Sequence, residues 1–315
     1  MNISQLKYFI ELGRTKSFSR AAERLQISQP ALSLQIRNLE EEAGLTLVDR
    51  TKKPLALTPE GELFFSRTLK IVRLLDELSQ LSVEMEEKAE GKIRLGIIPT
   101  LSPYLVPIFV GELHRKYPQI FLDIVELKTE EIITRLTYNE LDLGILSTPL
   151  SSRNIGFKPL FYERFFLYVS EKNKLSAEER ISLENLPYEE LWYLREGNCF
   201  QNQVDSICSP RDGGEDDLPF RYASYSIESL KRIVEFQGGM TFIPELATVN
   251  IPSENENMVK AILEPVPVRE ISAAYLKATG LKKNAQLLLQ VIASQLPERM
   301  RKKPDVKPLN TRLRL

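Results

Sequence analysis

Apolar residues recur at helical spacing through Leu32, Ile36, Leu39 and Ala43, and Gly44 ends the run. That spacing predicts a helix with one buried face. A shorter stripe precedes it, formed by Ala21, Ala22 and Leu25 behind Ser17 and Ser19, either of which can cap a helix start. Only Gln26-Ile27-Ser28-Gln29 separates the two stripes. Ser28 suits the N-cap of the second helix, and Pro30 suits its first turn, where a missing N–H costs little. Small alanines let the two helices cross closely. The opposite face of the second helix shows Gln29, Ser33, Gln35 and Arg37, groups that hydrogen-bond base edges or phosphates. The pattern predicts a helix-turn-helix whose second helix suits the major groove of double-stranded DNA, with Ser28, Gln29, Pro30, Ser33, Gln35 and Arg37 at the interface. An ordinary helical hairpin with a solvated polar face fits the same residues. Downstream, Arg50-Thr51-Lys52-Lys53-Pro54 and the short apolar run Leu55-Ala56-Leu57 predict a wing that lays Arg50, Lys52 and Lys53 along the phosphate backbone.

The period stays helical over residues 59–89. Ile71, Leu74, Leu78, Leu81 and Met85 alternate spacings of three and four, an a/d seam that predicts pairing of this helix with a second copy. From Gly91 strands and helices alternate. Strands are expected over residues 92–98, 121–126 and 141–146, with helices over 103–117 and 129–138. Strand–helix alternation predicts an α/β domain with a parallel sheet, whose ligands sit beyond the carboxyl ends of strands. Thr100 and Thr129 occupy such places, although both also read as simple caps. Residues 161–169 open a second lobe, and residues 269–276 read as a strand returning to the first. The domain boundaries expected are 1–58, 59–89 and 90–296, with lobe I over 90–162 and 269–296 and lobe II over 163–268. The tail, 297–315, carries seven Lys or Arg against two acids and no apolar period, and is expected to be disordered.

With 43% hydrophobic and 27% charged residues the chain reads as globular, and 315 residues suffice for about two domains. A net charge of −1 means that DNA affinity must come from local patches such as residues 50–53. The N-terminal residues lack the pattern of a signal peptide, and no apolar run is long enough to span a bilayer. A cytoplasmic protein with no membrane association is expected. Two cysteines exclude a disulfide scaffold and a four-cysteine zinc site; no metal and no cofactor is expected. The one histidine, His114, reads as a surface helix residue.

The N-terminal segment resembles the winged helix-turn-helix of LysR-type transcriptional regulators. The matching residues run in order from Leu6 and Phe9 through Ser17-Phe18, Ala21-Ala22, Leu25, Ser28-Gln29-Pro30-Ala31-Leu32-Ser33, Gln35-Ile36, Leu39-Glu40, Gly44, Leu47-Val48 and Arg50 to Leu57-Thr58 and Gly61. Residues 92–296 resemble the two-lobed, periplasmic-binding-protein-like (type 2) regulatory domain of that family. The resemblance implies a DNA-binding activator, dimeric or tetrameric, that works with RNA polymerase.

Cys199 and Cys208 are the remaining chemistry. Inert burial is the default for two cysteines in such a chain. However, Cys199 follows Gly197-Asn198 and precedes a stretch that can form a helix. A cysteine at a helix N-terminus gains thiolate character, reacts with peroxide to give a sulfenic acid, and passes it to a second thiol as a disulfide. If 199–208 is helical, its rise parts the two thiols by about 13 Å, beyond the reach of a disulfide, so closure requires unwinding. The segment resembles the peroxide-sensing members of the LysR family in Glu196-Gly197, Cys199, Gln203, Cys208 and the run 239–244. That resemblance implies Cys199 as the peroxidatic thiol, Cys208 as the resolving thiol, and Thr100, Thr129, Asn198 and Arg269 around the hydrogen peroxide. Two positions depart from it: Asn198 stands where histidine is frequent, and Gln201 where arginine is frequent. Two rivals remain open: a LysR-type regulator that binds a small organic ligand between its lobes, with incidental cysteines, and a thiol peroxidase with an accessory DNA-binding domain.

Overall fold

The computed structural model describes residues 1–85, 89–193, 199–207 and 226–313. The chain divides into two compact units, residues 1–88 and 89–315.

The first unit opens with α1, Ile3–Thr15, whose start is closed by a capping box between Asn2 and Gln5. Helix α2, Phe18–Arg24, is capped by Ser17. The expected alternative cap, Ser19, instead donates to Gln29 Oε1 at 2.8 Å, tying the two helices of the motif together. Helix α3, Gln29–Ala43, is capped by Ser28, and Gly44 ends it at φ 65°, a left-handed conformation that favours glycine. Leu32, Ile36 and Leu39 are fully buried, as their spacing requires. Strands β1, Val48–Asp49, and β2, Ala56–Leu57, pair antiparallel and form the wing. Helix α4, Pro59–Met85, follows; Thr58 caps it by accepting the Gly61 N–H at 2.9 Å. Of the a/d seam, Ile71 is 44% and Leu74 58% exposed. The side chains of Leu78, Leu81 and Met85 lie outside the described set.

The second unit begins with β3, Gly91–Ile97, followed by α5, Ser102–Lys116, β4, Ile120–Glu126, α6, Thr129–Thr137, and β5, Leu143–Thr148. Strand β3 pairs in parallel with β4 and β5. A Cβ on Gly144 would meet Ile132 of α6 at 2.4 Å and one on Gly96 would meet it at 3.1 Å, so glycine at these two positions lets α6 lie this close to the sheet. Strand β6, Ile155–Val169, is one continuous run of 15 residues. The expectation that residues 161–169 open a second lobe is therefore only half right: the same strand begins in the first lobe and ends in the second. Helix α7, Cys199–Ile207, helix α8, Ile227–Gln237, and strand β8, Met240–Pro244, belong to the second lobe, with β7, Arg180–Ile181, and β9, Val259–Ile262. Strand β10, Val268–Leu276, returns antiparallel between β5 and β6. Helices α9, Lys283–Gln295, and α10, Glu298–Arg301, complete the unit. The sheet order is β4-β3-β5-β10-β6-β9-β7, with β8 also on β6. Separate apolar cores fill the lobes, one around Leu95, Phe109 and Phe161, the other around Phe165, Tyr168 and Phe242.

The tail contradicts the expectation of disorder. Met300 is buried, Leu309 N–H donates to Val268 O at 2.8 Å, and Thr311, fully buried, donates to Pro149 O at 2.8 Å. Charge composition suggested a solvated segment. The apolar residues nevertheless alternate with the charges through Pro304, Val306 and Pro308, each partly buried while Asp305 and Lys307 face out.

Asp142 fixes the edge of the first lobe. It accepts from Arg94 Nε at 3.0 Å and Nη2 at 3.0 Å, and from Lys282 at 3.1 Å. Burial pushes its carboxyl up, but the bonds and charge of Arg94, with Lys282, outweigh burial and hold it below the usual carboxylate range. The resulting stabilisation is complete above the unfolded-state value of about 4 and is lost as pH falls through the lower folded-state value. Asp142→Asn is expected to cost roughly 2–3 kcal/mol, the low side for breaking a buried pair, because the Arg94 side chain is 34% exposed. It should also flatten the acid limb of stability against pH, measured as the urea midpoint between pH 3 and 6.

Candidate functional site

The alternation of β6 buries Phe161, Glu163, Phe165 and Leu167 on one phase. Glu163 is thus an acid placed where the strand calls for an apolar residue. Register pairs it directly with Arg269 of β10, the two strands lying antiparallel. Arg269 Nε donates to Glu163 Oε2 at 2.8 Å and Nη2 approaches the same oxygen at 2.7 Å; both side chains are fully buried. The other carboxylate oxygen accepts the Leu246 N–H at 2.9 Å. Burial pushes the Glu163 carboxyl up, against the pull of Arg269 and of Leu246 N–H. A buried ion pair of this kind survives only because hydrogen bonds satisfy both partners.

Thr100 and Thr129 stand beyond the carboxyl ends of β3 and β4, where parallel strands present ligand sites. Arg269 Nη1 donates to Thr100 Oγ1 at 3.2 Å and Nη2 to the Thr100 carbonyl at 3.3 Å. Because Thr100 Oγ1 accepts from Arg269, its own O–H remains available to a third group. Thr129 is the first residue of α6, and its Oγ1 lies 3.1 Å from Cys199 Sγ. Cys199 is the first residue of α7 and is buried. Its neighbour Phe200 anchors the helix start, stacking on Phe165 with centroids 5.2 Å apart, while the Arg269 guanidinium lies 5.4 Å from the Phe200 ring centre. Cys199 contacts Thr129, Arg269 contacts Thr100, and Phe200, next to Cys199 in the chain, links the two pairs. Asn198 and Cys208 lie outside the described residues. Gln201, the second departure noted in the sequence, donates to Asp205 at 2.6 Å along its own helix.

The thiol does not gain the thiolate character expected from its place at a helix N-terminus. Burial pushes the Cys199 pKa up to about 11; Thr129 pulls it down, Glu130 pushes it up, and Arg269 lowers it only weakly. Desolvation of the charged form outweighs the helix end. The sequence missed Glu163, which takes up the charge of Arg269; its one visible signal was an acid on the buried phase of an apolar strand. It also gave no role to Ser147, whose hydroxyl is bonded by Gln203 of α7 at 3.1 Å.

In the first unit, Ser28, Gln29, Pro30 and Arg37 are exposed and Ser33 is half-buried. At 3.6 residues per turn, Gln29, Pro30, Ser33 and Arg37 fall within one quadrant or so of α3, whereas Gln35 lies about 160° from Arg37, beside the buried stripe. Arg50 is partly committed: Nη2 donates to Glu40 Oε2 at 2.8 Å, and the same carboxylate accepts Leu47 N–H at 2.8 Å, so Arg50 braces the wing on α3. Lys52, 3.9 Å from Asp49, and Lys53 are exposed. Among the described residues no group of three His, Cys, Asp or Glu is placed to hold a metal, and no described helix is long and apolar enough to cross a membrane.

A winged helix-turn-helix in one unit and a two-lobed α/β body in the other are the architecture of a transcriptional regulator. Residues 3–62 match the bacterial regulatory helix-turn-helix protein, lysR family, and residues 86–297 match the LysR substrate binding domain. The chain belongs to the LysR family. It is 29% identical over 296 residues to the hydrogen peroxide-inducible genes activator of Haemophilus influenzae, covering 94% of this chain and 97% of that protein. It is 30% identical over 299 residues to the DNA-binding transcriptional dual regulator OxyR of Escherichia coli K12, covering 94% and 96%. The structure of full-length OxyR from Pseudomonas aeruginosa superposes with a TM-score of 0.75 at 29% identity, covering 96% of this chain and all of that one.

Removing the Thr129 hydroxyl removes the strongest group that favours the thiolate. In a Cys208→Ser background, Thr129→Val is expected to raise the pH midpoint of Cys199 alkylation by about one unit, equivalent to about 1.4 kcal/mol. Superposable pH profiles for the two proteins would remove Thr129 from the site.

Proposed function

We propose that this protein is a transcriptional activator that binds promoter DNA through α3 and the wing and senses hydrogen peroxide at Cys199. The observation that carries the reading is a buried thiol in contact with the Thr129 hydroxyl at the start of α7, with the buried Arg269–Thr100 pair reaching the neighbouring Phe200, in a chain whose relatives include peroxide-inducible gene activators. The Cys199 thiolate attacks one peroxide oxygen. An S–O bond forms, the O–O bond breaks, and the hydroxide that leaves takes a proton to become water. Thr100 has a free O–H to donate to the departing oxygen. The Cys208 thiol then attacks the sulfenic sulfur, forming the disulfide and releasing a second water. Each thiol reacts once per cycle, so the chemistry is signalling rather than turnover.

Helix α7 runs from Cys199 to Ile207 as a helix, and a disulfide needs Cα atoms within about 7 Å. Bringing Cys208 to Cys199 therefore unwinds α7 and breaks its bonds to the rest of the unit. Such a change alters packing between subunits and so the spacing of two recognition helices on their half-sites. The exposed Ile71 and Leu74 support pairing through α4 in a homodimer, on which a homotetramer and contact with RNA polymerase would build. A cytoplasmic location follows from the DNA-binding role.

The elevated thiol pKa favours a second reading, a regulator that binds a small organic ligand between its lobes with an inert Cys199. Mass spectrometry of the reduced protein after one equivalent of hydrogen peroxide separates the two. The expected products are a Cys199–Cys208 disulfide in the native chain and a sulfenic acid on Cys199 in Cys208→Ser. Two intact thiols under a modest peroxide excess would refute peroxide sensing and direct attention to metabolites.

A further inference from the structure

Glu163 takes no part in the peroxide step, yet it is the closest charged partner of Arg269. The pair is cross-strand in register, and both side chains are fully buried. The hydrogen bonds of Arg269 among the described residues run to Glu163 and to Thr100. Glu163 is itself held by Leu246 N–H at 2.9 Å, so the carboxylate cannot swing away from the guanidinium. A lone buried cation projects the field of a full charge. A cation joined to a carboxylate at 2.7 Å projects that of a dipole, which falls off faster with distance.

We propose that Glu163 is a positioning residue that holds the charge of Arg269 back from Cys199 in the reduced protein and so sets the peroxide threshold. The proposal rests on the reading of Cys199 as the peroxide-reactive thiol. Among the described residues, a further charged group at the thiol is Glu130 on α6, which also disfavours the thiolate, and the Thr129 hydroxyl adds a hydrogen bond. Around Glu163 such groups are Glu245, itself paired with Arg299, and Tyr104, whose hydroxyl donates to Glu228 at 2.7 Å. None of these gives Arg269 a second carboxylate if Glu163 loses its charge.

The test uses the full chain in a Cys208→Ser background. The pH midpoint of Cys199 alkylation by iodoacetamide is read alongside the rate of sulfenic acid formation with hydrogen peroxide at pH 7. Glu163→Gln keeps the shape and an acceptor for Arg269 but removes the charge. Its midpoint is expected to fall by about one unit, raising the thiolate fraction at pH 7 about tenfold. Glu163→Asp keeps the charge and should restore the parent profile. An unchanged or higher midpoint in folded Glu163→Gln, judged by near-ultraviolet circular dichroism, would overturn the proposal. Should Glu163→Gln fail to fold, the double variant Glu163→Met with Arg269→Met removes both charges together. A midpoint within half a unit of the parent then supports mutual cancellation, and a shift of a unit or more in either direction refutes it. Iodoacetamide makes the outcome independent of peroxide chemistry. A shifted alkylation midpoint in a protein that peroxide leaves untouched would keep the hold of Glu163 on the charge of Arg269 but overturn both the peroxide threshold and the peroxide reading.

Discussion

The cross-strand pair of Arg269 and Glu163 is the constraint from which the second unit is organised. Strands β6 and β10 carry the chain between the lobes, and the pair sits where β6 stops pairing with β10 and begins to pair with β8. Two opposite charges at zero exposure are tolerable only if each hydrogen bond is made. Those bonds reach Leu246 in the turn after β8 and Thr100 in the turn after β3. A single buried pair thus ties these two loops to strands β6 and β10 at one point. The thiol inherits its surroundings from that arrangement: Thr129 and Phe200 close the pocket because α6 and α7 are already docked on either side.

The same logic gives the C-terminal segment a structural role. Asn202 and Gln203 of α7 donate to the carbonyls of Thr311 and Leu309 at 2.8 and 3.1 Å, while Leu309 N–H and Thr311 Oγ1 bond Val268 and Pro149. The helix that begins at Cys199 is therefore held through backbone carbonyls of the tail as well as through Phe200. Each of these bonds is modest, about 1 kcal/mol net. They hold α7 firmly while it is helical, and none of them is strong enough to forbid its unwinding.

Much of the DNA-binding unit was legible because its signals are local. Ser17, Ser28 and Gly44 act within a few residues of themselves, and the buried faces of α2 and α3 follow from spacing alone. Gln35 was grouped with the other polar residues by chemistry, whereas its angle on a 3.6-residue period sets it on the other side of α3 from Arg37. In the second unit the strand–helix alternation gave β3, β4 and β5 with α5 and α6, and with them the places of Thr100 and Thr129. The role of Glu163 was not legible, because its partner lies 106 residues away and only the register of β6 against β10 brings them together. The tail was misjudged because its charge was counted and its alternation was not.

The raised pKa of Cys199 restrains every reaction of the thiol at neutral pH and weighs against repeated turnover. A turnover enzyme gains by keeping its thiolate populated, whereas a switch must stay reduced until peroxide rises. Burial supplies that restraint without any charge, since desolvation disfavours the thiolate wherever the sulfur is dry. The site then needs only enough compensation to let the minor ionised form react, and the Thr129 hydroxyl gives it directly at 3.1 Å. Arg269 is committed to Glu163 and adds less than Thr129. Reactivity in this arrangement is set by how the charge of one guanidinium is divided between a carboxylate and a sulfur, a division that the geometry of β6 and β10 makes before any oxidant arrives.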